Sequence, residues 1–63
     1  MYGNIEKSAF YRGMYVGYAP ISGAWRIVKL GKDWVATNQT KRDPLGYVIR
    51  RTLREVSYEL RTR

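Results

Sequence analysis

The chain contains neither cysteine nor histidine, and this absence restricts how its 63 residues can be held in one fold. Domains of this size bury only about 60% of the surface that the unfolded chain exposes, and many are reinforced by disulfides or zinc. Both supports need side chains that are missing here, so the fold depends on a hydrophobic core or on a partner chain. The nine aromatic residues can supply a core, since each large ring buries about 150–250 Å². We predict a single domain spanning residues 1–63 and leave homodimerisation open.

Alternating residues predict an antiparallel sheet. Residues 10–19 favour a strand that ends at Pro20, because Tyr and Val suit a pleated surface. Residues 24–38 predict a hairpin with arms Ala24–Leu30 and Asp33–Asn38, since Gly31-Lys32 suits a two-residue type II′ turn. One face of this hairpin would carry Trp25, Ile27, Lys29, Trp34 and Ala36, and the other Ala24, Arg26, Val28, Leu30, Val35 and Thr37. The alternation leaves open which face packs against the rest of the molecule.

The last third of the chain predicts a helix. Asp43-Pro44 combines a capping residue with a proline at the first helical position. Apolar residues then recur at intervals of three and four, forming a stripe of Leu45, Val48, Ile49, Thr52, Leu53, Val56 and Leu60. Residues 1–9 predict a flexible tail or a short helix capped by Asn4. The predicted fold is α+β: a three-stranded antiparallel sheet packed against one C-terminal helix.

The composition argues against an enzyme. Catalysis near neutral pH needs a tunable proton carrier or an activated nucleophile, and no histidine or cysteine is present. Glu55 and Glu59 lie one turn apart on the predicted helix, but two carboxylates make a poor site for a hard cation, and two solvated charges are the simpler interpretation. We therefore expect no catalytic residues, no metal, no cofactor and no small-molecule substrate.

The strongest functional signal is the excess of basic residues. Twelve Lys and Arg face five Asp and Glu, a net charge of +7, which is typical of domains that bind nucleic acid. On the predicted helix, Arg50, Arg54 and Arg61 fall within about 40° of each other. Tyr47, Tyr58 and Arg51 lie beside this line. Arginine forks and tyrosine hydroxyls suit a phosphate backbone, so we predict nucleic-acid binding, with DNA favoured over RNA.

The predicted hairpin offers further contacts. Trp25, Lys29 and Trp34 would form an aromatic platform for single-stranded bases if their face points outward, and part of the core if it points inward. Additional phosphate contacts are expected from the basic residues that surround the hairpin: Arg26, Lys29, Lys32, Lys41 and Arg42.

Other functions fit the same composition. Tyr, Trp and Arg are enriched at binding hot spots, so the alternative hypothesis is a small accessory or inhibitory protein, of the kind that phages and mobile elements encode, that binds an acidic surface of another protein. A homo-oligomeric structural subunit and a basic helix lying on an anionic membrane are weaker candidates. The first residues lack a signal-peptide pattern and no apolar run is long enough to span a membrane, so we expect a cytoplasmic protein.

Overall fold

The computed structural model describes residues 2–40 and 46–63, which form five antiparallel strands and one helix. In chain order these are β1 (Ile5–Lys7), β2 (Met14–Ala19), β3 (Gly23–Leu30), β4 (Asp33–Asn38), β5 (Tyr47–Arg50) and α1 (Leu53–Leu60). Each strand pairs with the next in a single sheet of order β1-β2-β3-β4-β5. The α+β class with a C-terminal helix is confirmed, whereas the prediction of three strands is wrong because β1 and β5 extend the sheet at both edges.

The first additional strand, β1, lies in the segment where we expected a tail or a short helix. Ile5 pairs with Gly17 of β2, and its side chain is buried in the core. The amide of Tyr18 also donates to the carbonyl oxygen of Asn4 at 2.8 Å. The prediction was wrong because three residues are too few to show an alternating pattern, and the pairing partner lies a dozen residues further along the chain.

The central hairpin agrees with its prediction. Its register pairs Leu30 with Asp33 and continues, residue by residue, to Trp25 opposite Asn38. Gly31 adopts a φ of +63°, the left-handed conformation that glycine adopts without steric cost at the first central position of such a turn. The neighbouring strand β2 begins at Met14 and not at residue 10, so the predicted strand over residues 10–19 is correct only in its second part.

The second additional strand, β5, corrects the predicted helix. Residues Tyr47–Arg50 are extended and pair with β4, and α1 begins at Leu53. Their sequence also fits a period of two, since Val48 faces the core opposite Ala36 while Ile49 points to the other side of the sheet. Pairing with the open edge of β4 outweighs the local helical pattern. The predicted cap at Asp43-Pro44 lies outside the described residues.

Helix α1 packs on the sheet face that carries both tryptophans, which settles the orientation that the sequence left open. Val56 and Leu60 are fully buried against Trp25, Ile27 and neighbouring residues. Two hydrogen bonds connect the helix to the segment before β1: the hydroxyl of Ser57 donates to Asn4 Oδ1 at 2.5 Å, and Asn4 Nδ2 donates to the carbonyl oxygen of Ser57 at 3.0 Å. Within the sheet layer, the indole of Trp25 donates to Ser22 Oγ at 2.8 Å. The opposite face of the sheet is called the open face below, since no described element covers it.

Helix α1 is eight residues long, and the described chain contains no helix with the length and apolar character needed to cross a membrane.

Candidate functional site

The predicted line of three arginines along one helix is not present as a helical face. Arg50 and Tyr47 belong to β5, and Arg51 lies in the connection to α1. Arg50 is also engaged, because its Nη2 lies 3.3 Å from Glu59 Oε2 on the helix. The helical interpretation of Tyr47, Arg50 and Arg51 is therefore wrong, because residues Tyr47–Arg50 pair with β4 as a strand and the helix begins only after Arg51.

Helix α1 keeps a shorter polar face. Arg54, Tyr58 and the C-cap residue Arg61 are exposed. Arg54 and Arg61 are seven residues apart, which places them within about 20° on the helix but about 10 Å apart along its axis. The two arginines therefore lie at opposite ends of the helix.

Most of the basic residues gather along one edge of the sheet, which we call the basic end. This edge is not an outer strand: it is the border where β1, β3 and β5 end and where β2 and β4 begin. Because neighbouring strands are antiparallel, the β1–β2 loop, the β3–β4 turn and the β5–α1 connection all lie at this edge. The opposite edge holds the β2–β3 turn and the end of the helix, where the amide of Ser22 donates to the carbonyl oxygen of Arg63 at 2.8 Å. The cations that the topology brings to the basic end are Lys7, Arg12, Lys29, Lys32, Arg50, Arg51 and Arg54.

Acidic groups neutralise only part of this charge. Asp33 lies 3.6 Å from Arg51, an exposed ion pair of the kind that contributes little energy. Glu55 lies in the first turn of the helix, where its Oε1 accepts a hydrogen bond from the Thr52 hydroxyl at 3.0 Å. The cations without an ion pair to any described residue are Lys7, Arg12, Lys29, Lys32 and Arg54. The basic end is therefore a positively charged surface in the part of the chain that the structure describes.

Trp34 lies on the helix-covered face at the rim of the basic end. It sits between Lys29 and Arg50 in the register of β3, β4 and β5. The Lys29 ammonium lies 5.6 Å from the centroid of the Trp34 ring, and the ring of Tyr15 meets Trp34 edge-on at 5.6 Å. The indole is thus occupied by its neighbours and holds the Lys29 charge at the rim, which differs from the open stacking platform that we considered.

The β1–β2 loop contributes aromatic residues that the sequence analysis assigned to a strand. Phe10 is 89% exposed and Tyr11 is 63% exposed. The amides of both residues donate to Ser8 Oγ at 3.2 Å, which folds the loop back on itself. Phenylalanine and tyrosine favour strands, so the sequence pattern predicts a strand where the structure has a loop. The residue that could have indicated a turn is Gly13, which adopts a φ of +73° in the structure.

The open face of the sheet is mainly apolar. Exposed large side chains on it include Tyr18, Leu30, Tyr47 and Ile49, and Arg26 lies near its centre. Arg26 forms no ion pair with a described residue. At the edge of this face the Tyr18 hydroxyl donates to Glu6 Oε1 at 3.1 Å. This hydrogen bond, and then the negative charge of Glu6, raise the pKa of Tyr18.

Comparison with known proteins adds no family to this picture. No protein-family model, curated protein or solved structure matches the chain significantly.

Proposed function

We propose that this protein binds nucleic acid and that the basic end contacts the phosphate backbone. The observation that carries the proposal is the unequal distribution of charge. Five cations at the basic end have no carboxylate partner among the described residues. Three of the acids already have partners: Asp33 pairs with Arg51, Glu55 accepts from Thr52, and Glu59 pairs with Arg50 and Arg63. A surface with several unneutralised cations attracts a polyanion and releases its counterions on binding.

The dimensions of the basic end suit a nucleic-acid backbone. Five strands spaced about 4.8 Å apart give an edge about 19 Å wide from β1 to β5. Arg12 lies in the β1–β2 loop, Lys32 in the β3–β4 turn and Arg54 in the first turn of α1, so the three cations follow one another along this edge. Lysine supplies a point charge and arginine a forked donor, and both contact phosphates without selecting a base. We infer a binding mode that depends mainly on charge and tolerates many sequences.

A salt series tests this proposal. We expect fluorescence anisotropy with a labelled oligonucleotide to show binding at low salt. The logarithm of the affinity should fall linearly with the logarithm of the salt concentration, by about 0.7 per phosphate contact on single strands and about 0.9 on duplex DNA. Absence of binding to both DNA and RNA at low salt would exclude the function.

A matched pair of arginine variants tests the location. Arg54→Gln and Arg61→Gln remove equal charge from exposed positions at opposite ends of α1. If the basic end is the binding surface, Arg54→Gln should weaken binding and lower by about 1 the slope of log affinity against log salt concentration. Arg61→Gln should leave this slope nearly unchanged. Equal losses in the two variants would instead support contacts along the whole helix face.

A second candidate function is docking on another protein, and the open face is the observation that favours it. Its apolar side chains surround Arg26, which has no carboxylate partner among the described residues. By charge complementarity the partner would present an apolar surface with a carboxylate at its centre. This is the accessory-protein hypothesis in a more specific form.

Charge reversal separates this candidate from nucleic-acid binding. After nuclease treatment, the immobilised wild-type chain should retain one partner protein in stoichiometric amount. Arg26→Glu should lose this partner protein, and Arg61→Glu should keep it. Retention of the same protein by Arg26→Glu would exclude the open face as the docking surface. A doubled mass in sedimentation without any added protein would identify a second copy of the chain as the occupant.

A further inference from the structure

We propose that the β1–β2 loop is a stacking site for unpaired bases, so that the preferred ligand of the basic end is single-stranded nucleic acid. This inference rests on the proposed nucleic-acid function and extends it from phosphate contacts to the kind of strand that is bound. The residues that carry it are Phe10 and Tyr11, with Lys7 and Arg12 beside them in the same loop.

Two adjacent aromatic rings are exposed in the β1–β2 loop. Phe10 has no polar group that water can solvate, yet 89% of its surface is exposed, and Tyr11 next to it is 63% exposed. Single exposed apolar residues are ordinary on protein surfaces. Two neighbouring rings beside two cations form a local surface on which the flat, apolar face of a ligand can stack.

Hydrogen bonds hold this loop in place before any ligand binds. Ser8 Oγ accepts from the amides of Phe10 and Tyr11, and the Ser8 amide donates to the carbonyl oxygen of Met14 at 2.9 Å. Gly13 closes the turn with its positive φ. A loop that is already folded loses little conformational entropy on binding, so the rings are available for stacking at low cost.

The loop also surrounds a cavity. Residues 7–15 line a half-open cavity of about 410 Å³, near the lower end of the roughly 300–1,000 Å³ range of ligand pockets. Lys7 and Arg12 contribute to its wall together with both exposed rings. The cavity therefore joins a stacking surface to groups that bind phosphate, which is the combination found in proteins that bind single strands.

The structure of the ligand decides between single strands and duplexes. In a duplex the faces of the bases are covered by their neighbours, and the rings of Phe10 and Tyr11 could contact only sugars and phosphates. In a single strand the base faces are accessible, and each stack on an aromatic side chain is worth about 1–3 kcal/mol. Only the single strand can use both the rings and the cations of this loop.

The test compares strand types and a matched pair of variants. The probes are a labelled oligothymidylate of about 12 nucleotides and a duplex of equal length, titrated at the same salt concentration. The variants are Phe10→Ala and Tyr11→Ala, with Ile21→Ala as the control, because Ile21 is 75% exposed in the β2–β3 turn at the opposite edge of the sheet. All three side chains are exposed, so the variants should keep the wild-type circular dichroism spectrum.

We expect the single strand to bind more tightly than the duplex. Phe10→Ala and Tyr11→Ala should each weaken the single-strand complex by about 5- to 150-fold, the factor that corresponds to the loss of one stacked base. Their salt slope and their duplex affinity should stay unchanged, as should all affinities of Ile21→Ala.

Two results would overturn the inference while leaving nucleic-acid binding in place. One is equal affinity for both strand types, and the other is wild-type single-strand affinity in Phe10→Ala and Tyr11→Ala, which would show that the exposed rings do not stack on bases. Absence of binding to either probe by the wild type would remove both the inference and the proposed function.

Discussion

Gly17 on β2 lies close to the buried side chain of Leu60 on α1. A Cβ at this position would lie 2.5 Å from Leu60 Cδ1 and 2.9 Å from Ile27 Cδ1, and both of those side chains are completely buried. We expect Gly17→Ala to reduce the free energy of unfolding by about 1–3 kcal/mol, because the core must shift to accept the added methyl group. Urea unfolding followed by tryptophan fluorescence measures this change.

Gly3→Ala is the matched control for that experiment. A Cβ at Gly3 meets no atom within 4 Å, and its backbone is not in the left-handed region. We expect this variant to unfold within about 0.5 kcal/mol of the wild type, as is usual for surface substitutions. Equal stability of the Gly17→Ala and Gly3→Ala variants would contradict the close contact between α1 and β2.

The phenol of Tyr18 gives stability a dependence on alkaline pH. Its hydrogen bond to Glu6, together with the charge of that carboxylate, raises its pKa above the ordinary value near 10. A raised folded-state pKa contributes stability that is complete below the unfolded pKa and disappears as the pH rises through the folded pKa. The wild type should therefore lose more stability than Tyr18→Phe as the pH rises above about 10. Parallel pH profiles for the two proteins would show that the hydrogen bond is absent in solution.

At the level of secondary-structure elements, the start of α1 gives a test with opposite signs. The Thr52 side chain accepts the amide of Glu55 at 3.1 Å and caps the helix. We expect Thr52→Ala to destabilise the protein by about 0.5–2 kcal/mol through loss of this cap. If the helix instead began near residue 44, Thr52 would lie in its interior, and alanine would stabilise it by up to about 0.7 kcal/mol. The sign of the change in urea midpoint decides between the two structures.

The elements that could be predicted from sequence are those with local signals. The β3–β4 hairpin needs only a two-residue turn and alternation on either side, and its register follows from the turn alone. The strand β5 has no such local signal, because Val48 and Ile49 fit a helical stripe as well as an alternating strand. What makes it a strand is pairing with β4, and that long-range contact is not encoded in the spacing of residues 47–50.

At the scale of the whole molecule, the excess of positive charge was evident from composition but its location was not. The spacing of the basic residues predicts Arg50, Arg54 and Arg61 on one helix face, whereas the topology separates Arg61 from the other two and brings Arg12, Lys32 and Arg54 to a common edge. Only the order of antiparallel strands determines which connections share an edge. A candidate site composed of three connections could therefore not be derived from residue spacing.

The most direct test of the central claim maps the bound surface on the whole protein. Titration of the ¹⁵N-labelled chain with an oligothymidylate, followed by two-dimensional amide NMR, should shift the resonances of residues 8–13, 29–34 and 51–54, which form the basic end. The β2–β3 turn at residues 20–22 and the chain end at 61–63 should stay unchanged. Shifts that concentrate on the open face or at the end of the helix, with the basic end unaffected, would contradict this account.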